Sequence, residues 1–81
     1  MTRALHVQYF AILREQRGLS EEKLTTGAAT PLALYEELRA RHGFTLPGDR
    51  IRAAVNDEFV AADALLREGD RLVFIPPVAG G

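Results

Sequence analysis

The stretch Arg71-Leu72-Val73-Phe74-Ile75 constrains the fold most, because it is apolar on both faces of a strand and halts at Pro76-Pro77. A half-covered strand alternates apolar and polar residues. One that does not is either central in its sheet or covered on its outer face by a partner. The proline pair has no N–H to donate, so the ladder ends there. The sequence then reads Val78-Ala79-Gly80-Gly81, with side chains that dwindle to none. Glycine adds no buried surface and loses the most backbone entropy on folding, so a core gains nothing from such a segment. It suits a thin stalk that carries a free carboxylate into another protein's active site. The Gly81 carboxyl is therefore the expected working group.

Upstream, Leu5, Val7 and Tyr9 alternate on one face of a first strand over residues 4–10. A short helix over 11–17 follows, closed by Gly18 in the left-handed region, with Leu19 placed to fold back on Leu13. Residues 20–26 are more polar and predict an edge strand. Thr30 as N-cap, Pro31 at the first helical position and Gly43 beyond the end frame a longer helix. Leu34, Tyr35 and Leu38 lie on its inner side, and Phe44 can close over Leu38. Residues 45–50 read as loop. Ile51, Ala53 and Val55 alternate in a third strand, and Asn56-Asp57 turns the chain into Phe59-Val60. Residues 63–70 make a compact excursion, with Gly69-Asp70 as the turn into the last strand.

The order strand, short helix, strand, long helix and three strands predicts an α+β fold, a ubiquitin-like β-grasp. Its mixed sheet has about five strands, the first and last lie side by side and parallel, and one long helix packs across one face. The expected organisation is one domain over 1–75 and an extended tail over 76–81.

Acidic and basic residues are interleaved and the net charge is −1, so no stripe of positive charge offers itself to nucleic acid. No apolar run is long enough to cross a bilayer and no signal-peptide pattern follows Met1, so the expected compartment is the cytoplasm. Cysteine is absent, which removes disulfides, thiolate metal sites and a thiol nucleophile or sulfur carrier. His6 and His42 are too far apart in sequence to resemble a ligand pair, and no bound cofactor or metal is expected.

Phe74 to Gly81, preceded by Leu66-Arg67-Glu68-Gly69-Asp70, resembles the C-terminal signature of the MoaD family, the small subunits of molybdopterin synthase. Phe10-Ala11 with Leu13-Arg14-Glu15, and Ala53-Ala54-Val55-Asn56, agree with it, so the likeness spans essentially the whole chain. Residues 20–50 fit in pattern only. The resemblance implies that a MoeB-like adenylating enzyme activates Gly81 with ATP. A sulfurtransferase or other persulfide donor then leaves a C-terminal thiocarboxylate. It further implies docking on a MoaE-like large subunit, where sulfur passes to cyclic pyranopterin monophosphate within a heterotetramer. Gly80 and Gly81 would be the reacting end. Phe10, Phe74, Ile75, Pro76, Pro77, Val78 and Ala79 are the expected partner contacts, with one of Phe74 and Ile75 pointing inward and the other outward.

The chemistry fits the residues. A terminal carboxyl titrates at about 3.5, so at neutral pH it is a carboxylate and a poor electrophile. Adenylation supplies a leaving group. Six extended residues from Pro76 to Gly81 reach roughly 20 Å at ~3.3 Å each, enough to thread a buried channel. Pro76 and Pro77 stiffen the base of that stalk. The same features suit a carrier for thiamin thiazole synthesis, tRNA thiolation or cysteine synthesis, or a ubiquitin-like modifier joined to target lysines.

Overall fold

The computed structural model describes residues 2–77, so Val78, Ala79, Gly80 and Gly81 lie outside the described residues. The chain runs β1 (Arg3–Tyr9), α1 (Ile12–Arg17), β2 (Glu21–Thr26), α2 (Pro31–His42), β3 (Arg52–Val55), β4 (Glu58–Val60) and β5 (Arg71–Ile75). Its five strands form one sheet in the order β2-β1-β5-β3-β4. β5 is central, parallel to β1 on one side and antiparallel to β3 on the other. This resolves why Leu72 to Ile75 is apolar throughout: the strand sits in the middle of its sheet. β2 is an edge strand, as its polar composition predicts.

α2 forms where its caps dictate. Thr30 Oγ1 accepts the Ala33 N–H at 3.2 Å, Pro31 fills the first position, and Gly43 at φ 73° returns its N–H to the Arg39 carbonyl at 2.8 Å. The helix buries Leu34, Tyr35 and Leu38 against Leu5, Val7, Tyr9, Leu72 and Phe74 of the sheet. Phe44 closes the core, with ring centroids 5.8 Å from Tyr35 and 6.0 Å from Tyr9. The Tyr35 hydroxyl is satisfied by donating to the Leu46 carbonyl at 2.7 Å.

Two local expectations are corrected. Gly18 does cap α1 at φ 83°, its N–H reaching the Arg14 carbonyl, but Leu19 stays 42% exposed and is not part of the core around Leu13. The chain passes straight into β2, where the Ser20 carbonyl accepts the Tyr9 N–H. The segment 45–50 also contains a 3₁₀ turn at Gly48–Arg50. A Cβ at Gly48 would lie 2.6 Å from Glu36 Oε2 and 2.7 Å from Leu32 Cδ1, so a larger residue there would oblige the ends of those two α2 side chains to shift.

Candidate functional site

Parallel pairing of β1 with β5 delivers the C-terminal ends of both strands to the same rim of the sheet. Tyr9 pairs with Phe74, so Phe10 leaves β1 level with Ile75, where β5 releases the tail. Phe10 is 47% exposed, Ile75 and Pro76 are half-buried and Pro77 is exposed. Phe10, Ile75, Pro76 and Pro77 therefore gather at one surface, around the root of the segment that carries Gly81. The expected role of Phe74 is corrected. Its side chain is 1% exposed and packs edge-on to Tyr35 at 5.4 Å, so it is core and cannot meet a partner at the folded surface. Period-two geometry explains it: Leu72 and Phe74 face α2, while Val73 and Ile75 face the uncovered side.

The turn that presents Phe10 is strained. Ala11 stands at φ 52°, ψ −127°, a conformation that suits glycine, and Phe10 accepts the Leu13 N–H across it at 3.1 Å. A polar clamp holds α1 in place behind this turn. Arg17 donates twice to Glu22, each time at 2.8 Å, and the Tyr9 hydroxyl donates to the same carboxylate at 2.6 Å. The Arg17 hydrogen bonds hold the Glu22 carboxyl down to about 2. Burial, with Glu22 adding to it, pushes the Tyr9 phenol well above its ordinary range. Burial also lowers the pKa of His42.

The uncovered face of the sheet adds residues that sequence reasoning missed. Val73 of β5 pairs with Ala54 of β3, which pairs with Phe59 of β4. Phe59 is 67% exposed, and the Arg52 guanidinium lies 5.4 Å from its ring centroid. Arg52 is itself the cross-strand neighbour of Ile75, so this aromatic–cationic pair adjoins the tail root. A cleft of about 260 Å³ runs from there toward the start of α2, lined in part by Leu32, Ile51, Arg52, Phe59 and Val60. The sequence shows Phe59 only as a strand residue after a turn. Its exposure follows from β4 lying at the sheet edge.

Asn56 also exceeds its expected turn role. It and Asp57 take positive φ, 51° and 74°, as a tight hairpin requires. Its side chain then donates to Asp70 Oδ1 at 3.1 Å and accepts the Arg71 N–H at 3.0 Å, which fixes where β5 begins. Asp70 Oδ2 holds the Arg67 N–H at 2.8 Å. The strand that carries the tail is thus anchored at its start by side chains and along its length by two neighbours. Among the described residues no cluster of His, Cys, Asp or Glu is placed to hold a metal ion. None of the described helices is long and apolar enough to cross a membrane.

A β-grasp with an exposed tail root narrows the comparison with known proteins. The molybdopterin synthase sulfur carrier subunit of Escherichia coli is 34% identical over 80 residues, covering 95% of this chain and 99% of that one. Among solved structures, small archaeal modifier protein 1 of Haloferax volcanii superposes with a TM-score of 0.74 at 27% identity, over 94% of this chain and 99% of that one. The complex of subunits 1 and 2 of the molybdopterin-converting factor from Helicobacter pylori contains the same fold. Its TM-score is 0.62 at 24% identity, covering 96% and 99% of the two chains. The sequence matches the ThiS family over residues 7–81, and the chain belongs to that family.

Proposed function

We propose that this chain is a sulfur carrier and the small subunit of a molybdopterin synthase. The observation that carries the reading is the end-to-end likeness to the Escherichia coli sulfur carrier subunit. The placement of Phe10, Ile75 and Pro76 around the root of the Gly80-Gly81 segment supports it. In this reading a MoeB-like enzyme uses ATP to convert the Gly81 carboxylate into an acyl-adenylate. A persulfide sulfur displaces AMP and leaves a thiocarboxylate. The charged carrier inserts its tail into a MoaE-like large subunit, where sulfur passes to cyclic pyranopterin monophosphate. The fold contributes positioning. β5 is fixed between two strands, so the sheet sets where Pro76 and Pro77 leave it and where the tail root is presented to a partner.

Ile75, Pro76, Pro77 and Phe10 form the proposed contact surface with the large subunit and the activating enzyme, with Val78 and Ala79 lining the stalk. Phe59 and Arg52 extend that surface across the uncovered face. Alone the carrier catalyses nothing, and the assembly is a heterotetramer with one carrier at each end of a large-subunit dimer.

The test is intact-mass measurement after incubation with a MoeB-like enzyme, ATP and a sulfur source. The expected result is a gain equal to the difference between sulfur and oxygen at the C-terminus. An unchanged mass with an enzyme proven on another carrier overturns the reading. Deleting Gly80-Gly81 abolishes the gain and leaves the thermal midpoint in place. The match to an archaeal modifier protein favours a second reading, in which Gly81 is joined to amines. It would appear as isopeptide-linked conjugates in extracts.

A further inference from the structure

Lys23 is the only lysine among 81 residues that include nine arginines. A guanidinium stays protonated and does not attack acyl groups, whereas an amine does so once it sheds a proton. The chain thus offers a single ε-amine to any activated acyl group. Lys23 sits midway along β2, exposed, on a strand that among the described residues has no neighbour on its outer side. His6 stands directly opposite on β1, and the two line one open depression of about 360 Å³ together with Ala4, Glu68 and Gly69. The His6 Nε2 lies 3.3 Å from Glu21 Oε1, which orients the ring, and Glu68 Oε1 is occupied by the Ala4 N–H at 2.8 Å. Among the described residues no ion pair ties the Lys23 ammonium. An unpaired amine beside an imidazole, in a recess at an accessible edge, is the constellation that base-assisted acyl transfer to nitrogen needs.

We propose that Lys23 is an acyl-acceptor site for the glycyl end of a second copy of this chain whose Gly81 carboxyl has been activated as an adenylate or thioester. The idea rests on activation of Gly81 as read above. The Lys23 ammonium first loses one proton to water; the free amine then bonds the Gly81 carbonyl carbon and passes its second proton to His6. The bond from that carbon to the AMP oxygen or thioester sulfur breaks, the leaving group keeps the electron pair, and the proton passes from His6 to water. The products are an isopeptide and AMP or a thiol, with no change of oxidation state. The donor is a second copy because Lys23 is level with Arg71, at the start of β5, so the chain's own tail would have to double back along the sheet from the stiff Pro76-Pro77 pair to reach it. A donor ending in two glycines brings no Cβ into the recess.

A defined probe tests this without an activating enzyme: full-length chain bearing a C-terminal 2-mercaptoethanesulfonate thioester, mixed with unactivated full-length chain. Trypsin cuts after Arg17, Arg39 and Arg71 but not at an acylated lysine. The expected product is therefore peptide 18–39 carrying residues 72–81 as a branch on Lys23. Lys23→Arg removes it, His6→Gln slows it several-fold, and folded chain reacts several-fold faster than an isolated peptide of residues 18–29. Linkage mainly at the Met1 amine, or a Lys23 rate no greater than that of the peptide, overturns the proposal. Lys23→Arg still gains sulfur in the mass assay above. Loss of that gain in the wild-type chain defeats the carrier reading alone, because here the thioester supplies the activation.

Discussion

Neighbouring residues of β5 live in different surroundings. Leu72 and Phe74 lie under α2 with Tyr35 and Leu34, sealed from water on every side. Val73 and Ile75 face the uncovered side, where only adjacent strands and the Arg52–Phe59 pair shield them. The two faces hold similar side chains but answer to different demands. On the covered face a lost methylene leaves a cavity. On the open face Val73 is still only 8% exposed under its strand neighbours, whereas at the half-buried Ile75 a lost methylene removes contact area that a partner would use.

The sharpest way to break this contrast is a pair of equal truncations. Phe74→Ala is expected to cost about 3–5 kcal/mol in urea unfolding. If the protein tolerates it within experimental error, Phe74 is not core. Next in size is the clamp behind the Phe10 turn. The Glu22 carboxyl is held near 2 in the fold, against an ordinary value of 4.5. Its stabilisation is therefore fully present above about pH 4.5 and disappears as pH falls toward 2. Glu22→Gln should remove on the order of 2 kcal/mol at neutral pH and flatten the stability profile across that window; an unchanged profile would show that Arg17 and Tyr9 bind it loosely. Thr30→Ala, which removes the α2 cap, should lower stability by about 1 kcal/mol, and circular dichroism would register earlier loss of helix on heating. Smallest is Phe59→Ala, expected within about 0.5 kcal/mol of wild type, yet weakening capture by the activating enzyme or large subunit in a pull-down titration. A large stability loss there would make the open face a second core.

The elements were legible wherever one residue type has a single physical use. Thr30-Pro31 and Gly43 marked both ends of α2, and Asn56-Asp57 marked the hairpin, because cap and turn chemistry is local. The central position of β5 was readable as one of two options, since an unbroken apolar run does not suit a half-solvated edge strand. Which of Phe74 and Ile75 points inward was not readable, because both are apolar and side depends on register with β1 and β3. Phe59 and Arg52 escaped for a related reason. Their stacking joins two strands, and an exposed aromatic looks the same in a sequence as a buried one. The exposure of Leu19 was not readable either, because it depends on Ser20, the next residue, joining the β1 ladder through its carbonyl.

The pairing of β1 with β5 also bears on when this protein can fold during synthesis. β1 lies between β2 and β5, and its parallel neighbour is made almost the whole length of the chain later. Until residues 71–75 emerge from the ribosome, Val7 and Tyr9 have half a sheet to pack against and the core stays open to water. A chain that stops before β5 therefore lacks the central strand of its sheet, and the compact state waits on residues 71–75.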